Sequence, residues 1–418
     1  MAASRDDAGT PAYHHLFQAL DARIPEAALL RERLHRQPRV SGQEDDTLAT
    51  LLEYVPIGAA IDLIETGGAL VRVGRDGPSV ALRAELDALP IVERTGAPFA
   101  SVNGAMHACG HDVHMAAVIA VLNTLAGVPD LPAPVVAVWQ PREETLPSGA
   151  IDLLARPQWA RHNITAVIGA HVQPALNSLK VTSNEGTVNA ASDEFTVSFN
   201  GRAAHGAYPH LSADPVLAAS AFVLAAQQIV ARNVDPRESA VVSVGAIHGG
   251  EAPNVIPAKV DLAGTIRTSS PTQQAYLHGR VRAIAESIAT AYSCTTEVDL
   301  RLGNPPLVND AALARTTASI LRLQGFDTDH EFRSFGADDF AYYGRAARIL
   351  MLFVGTSGEG GSLHSDRYLP DEDAVRRVAH ALLAGYLAAS AGTEPAGDVR
   401  QRVPLAATVP PPPRHAER

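Results

Sequence analysis

Three stretches of this chain, residues 133–139, 164–170 and 348–354, are almost unbroken apolar runs. A strand of that composition cannot leave a face in water. Each run therefore belongs in a sheet covered on both sides, which points to a parallel sheet flanked by helices. In open α/β sheets the ligand crevice lies beyond the carboxyl ends of the strands, so the residues that follow each run are informative. Residues 133–139 lead directly into Gln140-Pro141-Arg142-Glu143-Glu144. Residues 164–170 end against His171, and His364 lies ten residues past 348–354. A shorter strand, residues 79–83, is followed by Glu85 and Asp87. Singly, each has a plain alternative: Glu143-Glu144 as a solvated loop, His171 as a satisfied histidine. Their repetition at strand ends argues for one shared site.

The stretch Met106-His107-Ala108-Cys109-Gly110-His111-Asp112-Val113-His114 adds a thiol, three imidazoles and a carboxylate. Cys109 and His111, separated by one glycine, can face a single ion. Thiolate with imidazole suits zinc, and imidazole with carboxylate also admits manganese or cobalt. Residues 114–127 read as a buried, alanine-rich helix, and residues 19–37 as one amphipathic helix.

The middle of the chain changes character. Residues 193–200 alternate apolar and polar, the pattern of a half-exposed antiparallel strand. A helix (214–232), two strands (240–248, 259–268), a second helix (272–292) and a last strand (295–302) follow. That β-α-β-β-α-β order is the split, ferredoxin-like pattern. The expected fold class is α/β, with a mixed-sheet catalytic domain in two parts, residues 13–187 and 303–392. Residues 188–302 form an inserted α+β domain. Residues 1–12 and 393–418, the latter containing Pro410-Pro411-Pro412-Pro413, are expected to be disordered tails.

With 418 residues, two domains are the default expectation. The net charge of -11 and the lack of a basic stripe argue against nucleic acid as a partner. The two cysteines, Cys109 and Cys294, lie far apart, so a reducing cytoplasm is expected rather than a disulfide framework. No signal-peptide core and no membrane-spanning apolar run are read, so no membrane partner is expected.

These segments resemble the aminoacylase/carboxypeptidase family of two-metal hydrolases, in particular the amidohydrolase branch that includes hippurate and indole-acetyl-amino-acid hydrolases. The likeness rests on Leu82-Arg83-Ala84-Glu85-Leu86-Asp87-Ala88-Leu89-Pro90, the Met106 to His114 stretch and Gln140 to Glu144. It continues through His171-Val172, Ala252 to Pro257, Gly264-Thr265-Ile266-Arg267, Gly336-Ala337-Asp338-Asp339-Phe340 and Leu363-His364-Ser365. It covers roughly residues 14 to 392.

The resemblance implies a zinc-exopeptidase-like catalytic domain whose inserted domain acts as a lid and dimer contact. It implies metal ligands at Cys109, His111, Glu144, His171 and His364, with the Cys109 thiolate between two divalent ions. Manganese or zinc is expected, with cobalt and nickel as further candidates. Glu143, at the general base, and Asp87, at an acidic position behind a ligand, are the catalytic residues the resemblance implies. His205, Asn254 and Gly336 stand among substrate-binding positions, and Arg267 at a candidate carboxylate anchor. The implied reaction is hydrolysis of the amide of an N-acyl amino acid or related small amide by metal-bound hydroxide, in a homodimer. A dipeptidase or carboxypeptidase of the same family, a non-catalytic metal-binding relative and a Cys109-nucleophile enzyme are the alternatives. The chain departs from the family at Glu85, where Asp is usual, at Thr145-Leu146-Pro147, where a glycine run is common, and at Ser365-Asp366.

Overall fold

The structure, a computed structural model, describes residues 13–328, 331–356 and 361–391. The tails expected to be disordered lie outside the described residues. Strands follow the chain as β1 (Ala60–Leu63), β2 (Ala69–Val73), β3 (Ser79–Glu85), β4 (Val135–Gln140) and β5 (Ile164–Gln173). Next come β6 (Val181–Thr182), β7 (Gly186–Asn189), β8 (Ala191–Asn200), β9 (Ala204–His205) and β10 (Ala240–His248). The last are β11 (Val255–Ile256), β12 (Lys259–Thr268), β13 (Thr295–Arg301), β14 (Leu307–Asn309) and β15 (Arg348–Gly355).

Seven strands form a mixed sheet in the order β1-β2-β4-β3-β5-β15-β6. Its middle, β4-β3-β5-β15, is parallel throughout, and β1, β2 and β6 add antiparallel margins. The parallel strands are the apolar runs seen in the sequence, buried along nearly their whole length. One face is covered by helices Ile24–Arg36, His111–Ala126 and Ala374–Ser390, around Val118, Leu122, Leu350 and Leu382. The other packs Trp159, Phe340, Tyr343 and Met351.

The expected single helix over 19–37 is two, His14–Asp21 and Ile24–Arg36. Pro25 has no amide hydrogen to continue a helix, but it fits a first turn, where that hydrogen would have no partner.

The second sheet runs β10-β12-β8-β13, antiparallel throughout. Helices Pro215–Asn233 and Pro271–Ala291 cover one face over Phe195, Val197, Phe199, Phe222 and Leu277. The chain enters and leaves this unit through an antiparallel ribbon of β7 with β14. Asp193 pins the neck: its carboxylate accepts the Gly303 amide at 3.1 Å and the His278 Nε2 hydrogen at 2.7 Å.

The expectation that no apolar run reaches membrane-spanning length does not hold by composition. Pro215–Asn233 has 19 residues and a mean hydropathy of 1.4, long and apolar enough by composition to cross a membrane. Ala218, Phe222, Ala226 and Ile229 on its inner face instead build the core of the four-stranded unit.

A buried charge network joins helix Ile24–Arg36 to helix His111–Ala126. His35 sits between Asp112 (Nδ1 to Oδ2, 3.0 Å) and Glu93 (Nε2 to Oε1, 3.1 Å), and Arg31 donates to Asp112 at 3.2 Å. Burial alone would lower the His35 pKa, but the two carboxylates push it up from 6.5 to about 9. A pKa raised by folding means that the charged His35 stabilises the fold fully below pH 6.5, with the contribution lost as pH rises through about 9. The full contribution is roughly 3 kcal/mol. Urea unfolding at pH 6, 7.5 and 9.5 should show that decline. His35→Gln should flatten it, and an unchanged slope in the variant would remove His35 as its source.

Candidate active site

Because β4, β3, β5 and β15 are neighbours and parallel, their carboxyl ends share one edge of the sheet. Asp87 follows β3, Glu143 and Glu144 follow β4, and His364 follows β15. His171 lies inside β5 rather than after it. The strand continues to Gln173 because β15 pairs with it as far as Gly355.

Cys109 and His111 come from the start of helix His111–Ala126, which begins earlier than its sequence pattern suggests because Gly110 caps it at φ +82°. A Cβ at residue 110 would lie 2.4 Å from Val172 Cγ2, so glycine is required where this turn meets β5. Arg142, just before the glutamate pair, also has positive φ (+51°), uncommon for a residue other than glycine. Its amide donates to Glu44 Oε1 at 2.9 Å and its guanidinium to the Thr66 carbonyl at 2.6 Å and to Asp152. These bonds hold the turn that gives Glu143 and Glu144 different neighbours.

The tautomers of the two central histidines follow from their partners. His111 Nδ1 is 2.8 Å from the Asp87 carbonyl, and His171 Nδ1 is 2.7 Å from the Val172 carbonyl. A carbonyl only accepts, so each Nδ1 carries the hydrogen and each Nε2 presents a lone pair. His171 Nε2 lies 3.4 Å from Cys109 Sγ. His111 Nε2 is buried without a hydrogen-bond partner. Buried acceptors with no donor are costly unless a cation completes them.

Cys109 belongs to two groups of three possible ligand atoms, all within 4.8 Å of one another: one with His111 and His171, the other with Glu144 and His364. One thiolate shared by two triads is a donor set for two adjacent divalent ions, and these residues fit that group. The electrostatics agree. Burial, then Glu144, Glu143 and Glu85, push the Cys109 thiol well above its ordinary range. Negative charge packed around a buried thiol is complementary to cations, whose binding releases the thiol proton. Burial opposes ionisation of Glu144, yet His364 and His111 hold it below its ordinary value. His364 stands at the rim, its side chain 50% exposed, with Nε2 3.3 Å from Glu144 Oε1. Its amide donates to the Ala108 carbonyl at 2.9 Å, tying the rim to the Cys109 loop.

Glu143 points elsewhere, grouping with Asp338 and Asp339 as well as with His111 and Glu144. Burial, then Asp338, Glu144 and Asp339, push its carboxyl well above the ordinary range, with Arg83 pulling the other way. Beneath it, Arg83 is fully buried and bonds to Glu85, to Gln140 (2.9 Å) and to Asp339 (2.7 Å). Asp87 does not face this space. Its Oδ2 accepts from Ser41 Oγ (2.7 Å) and the Glu144 amide (3.0 Å), and its carbonyl accepts from His111 Nδ1 (2.8 Å), so its contacts are to its neighbours in the site.

The remaining expected site residues lie on other elements. His205, on β9, and Asn254, just before β11, are held side by side by the β9–β11 pairing and a Gly206 amide bond to the Asn254 carbonyl at 2.8 Å. Both are exposed. Arg267, on β12, donates to Ser192 Oγ. Gly336 is exposed, its amide on Ser334 Oγ at 3.0 Å. Among the described residues none of the four makes a hydrogen bond or ion pair to the Cys109 cluster.

Arg83, Gln140, Asp338 and Asp339, all in quoted motifs, had no role assigned from sequence. The signal was there for Arg83: a cation inside a buried strand must find carboxylates. His114, one turn after His111, is not free to bind an ion although it lies near Glu85 and His111. Its Nε2 accepts the Val172 amide at 3.0 Å and its Nδ1 meets Glu85 Oε2 at 2.9 Å.

The chain is similar to known proteins in both sequence and fold. Residues 81–385 match the sequence model of peptidase family M20/M25/M40. The chain is 37% identical over 362 residues to an N-acetyl-L-cysteine deacetylase of Bacillus subtilis (strain 168), covering 84% of this chain and 85% of that one. It is 35% identical over 359 residues to an N-acetyldiaminopimelate deacetylase of Listeria monocytogenes serotype 4a (strain HCC23), covering 84% and 96%. Among solved structures, a Bacillus subtilis protein described as a dinuclear metal-binding peptidase of the M20 family superposes with a TM-score of 0.76. That protein is 29% identical, and the match covers 88% of this chain and 98% of that one.

Proposed function

The chain belongs to peptidase family M20/M25/M40, and from that premise we propose that it is a metal-dependent amidohydrolase that cleaves the amide of small N-acyl amino acids. The observation that carries this reading is the Cys109 thiol shared by two donor triads beside the half-buried Glu143, whose carboxyl is pushed above its ordinary range. The deacetylase names of the relatives support a small acyl group.

Two divalent ions, manganese or zinc, held by Cys109, His111, Glu144, His171 and His364 would supply Lewis-acid activation of water and of the scissile carbonyl. Glu143 accepts the proton of the attacking water and returns it to the leaving nitrogen, because an amine anion is a poor leaving group. Its high proton affinity suits a group that must hold that proton between the two steps. His205 is assigned to the developing oxyanion and Arg267 to the substrate carboxylate, with Asn254 and Gly336 as further substrate contacts. The lid role of the four-stranded unit rests on its attachment through the β7–β14 ribbon.

A homodimer through that unit is supported by the unpaired edge of β10 and the exposed Val241, Ile247, Leu217 and Leu224. Sedimentation at a single-chain mass would remove the dimer. A reducing cytoplasm is the compartment we propose, since the site depends on a free Cys109 thiol.

The test is chelation followed by add-back of manganese, zinc, cobalt or nickel. The substrate panel is acetyl-, benzoyl- and indole-acetyl-amino acids with dipeptides. Chelation should abolish hydrolysis and one of the metals restore it, with acyl amino acids preferred. Turnover that survives chelation would sink the metal mechanism, and faster dipeptide cleavage would make the protein a dipeptidase.

A further inference from the structure

Parallel pairing of β3 with β5 stops at Leu82 opposite Ile168, four residues short of Val172, whereas β15 follows β5 to its end. Among the described residues one edge of β5 has no strand partner beyond Ile168, and a buried amide left there would cost free energy. His114 fills that place: its ring accepts the Val172 amide at Nε2 (3.0 Å). An imidazole nitrogen that accepts an amide hydrogen carries none of its own, so the neutral ring has its hydrogen on Nδ1, which points at Glu85 Oε2, 2.9 Å away. The other Glu85 oxygen is bonded to the buried Arg83. Val172, pinned through its amide, offers its carbonyl to His171 Nδ1 at 2.7 Å. The His114 and His171 rings stand 4.8 Å apart between centroids.

We propose that His114, oriented by Glu85 and Arg83, is a positioning residue for the metal site: it fixes the His171–Val172 peptide, and with it the backbone from which the Val172 carbonyl holds His171 Nδ1, so that His171 presents the Nε2 lone pair toward Cys109. The inference rests on the two-metal reading above. It assigns a role to the third histidine of the Met106–His114 stretch and to Glu85, one of the chain's departures from the family pattern. An aspartate at 85 would be one methylene shorter than the span between Arg83 and His114 that Glu85 bridges.

The probe is Zn²⁺ alone, titrated calorimetrically into metal-free full-length protein. Wild type should take up two ions. His114→Ala should weaken one of the two about 10–100-fold, the usual effect of losing a hydrogen-bonding partner behind a metal ligand, and leave the other close to wild type. His114→Gln, whose amide oxygen can still accept from Val172, should restore most of that loss. Glu85→Gln should weaken the same ion as His114→Ala. Two ions bound with wild-type affinity by His114→Ala would overturn the proposal, as would equal defects in the Ala and Gln variants at matched thermal stability. If His114→Ala does not fold, nitrogen-15 histidine spectra of the zinc-loaded wild type decide: His114 should be the Nδ1–H tautomer, and an Nε2–H tautomer overturns the assignment. A wild type that binds no zinc would instead defeat the two-metal reading itself.

Discussion

Glu143→Gln should lower turnover about 10²–10⁴-fold, or ~3–5 kcal/mol of barrier, while leaving the metal content intact. Glutamine keeps the shape and hydrogen-bonding reach of the side chain but cannot take a proton from water. The Cys109-centred triads do not include Glu143, so removing its charge should not release an ion. Its high proton affinity has an identifiable source in burial and in Asp338, Glu144 and Asp339. Asp338→Asn should therefore also disturb the rate. Steady-state kinetics paired with elemental analysis of the purified variant read both quantities. Full activity would reject the general-base role. Loss of one ion would turn Glu143 into a ligand, a role open to it because it also groups with His111 and Glu144.

The second large effect is expected at Cys109. Cys109→Ala removes a donor from both triads at once, so both ions should be lost or weakened by well over the 10–100-fold typical of an outer partner. Turnover should fall with them. His171→Ala or His364→Ala should each disturb mainly the triad that contains it. Metal stoichiometry across the three variants is the measurement. Retention of two tightly bound ions by Cys109→Ala would refute the shared thiolate. The same experiment separates this reading from a cysteine-nucleophile enzyme, in which Cys109→Ala would lose activity and chelation would leave the wild type unaffected.

Much of this site is legible in the sequence. The parallel strands announce themselves because burial on both faces leaves no polar positions, and a crevice at their carboxyl ends follows from that architecture. His171 shows the limit: the apolar run stops at Ala170, but hydrogen bonding to β15 carries β5 on to Gln173. Composition cannot report a ladder supplied by a strand about 180 residues further along the chain. The membrane-length helix is the converse case, since Ala218, Phe222, Ala226 and Ile229 are apolar because of the sheet beneath them.

The sequence by itself determined which residue types stand at the strand ends, the split pattern of residues 193–302, and the family likeness carried by Cys109, His111, Glu143, Glu144, His171 and His364. These are local properties: periodicity, spacing and side-chain chemistry. Only the tertiary structure decided that Cys109 is common to two triads and that His111 and His171 each expose Nε2. It alone showed that His114 meets a strand edge through the Val172 amide, and that Asp338, Glu144 and Asp339 surround Glu143 with Arg83 opposing them. Each of these depends on distances between atoms contributed by segments far apart in the chain. A hydrogen-bond partner or a neighbouring charge exists only once the chain has closed on itself, and it is those partners that fix a tautomer or shift a pKa.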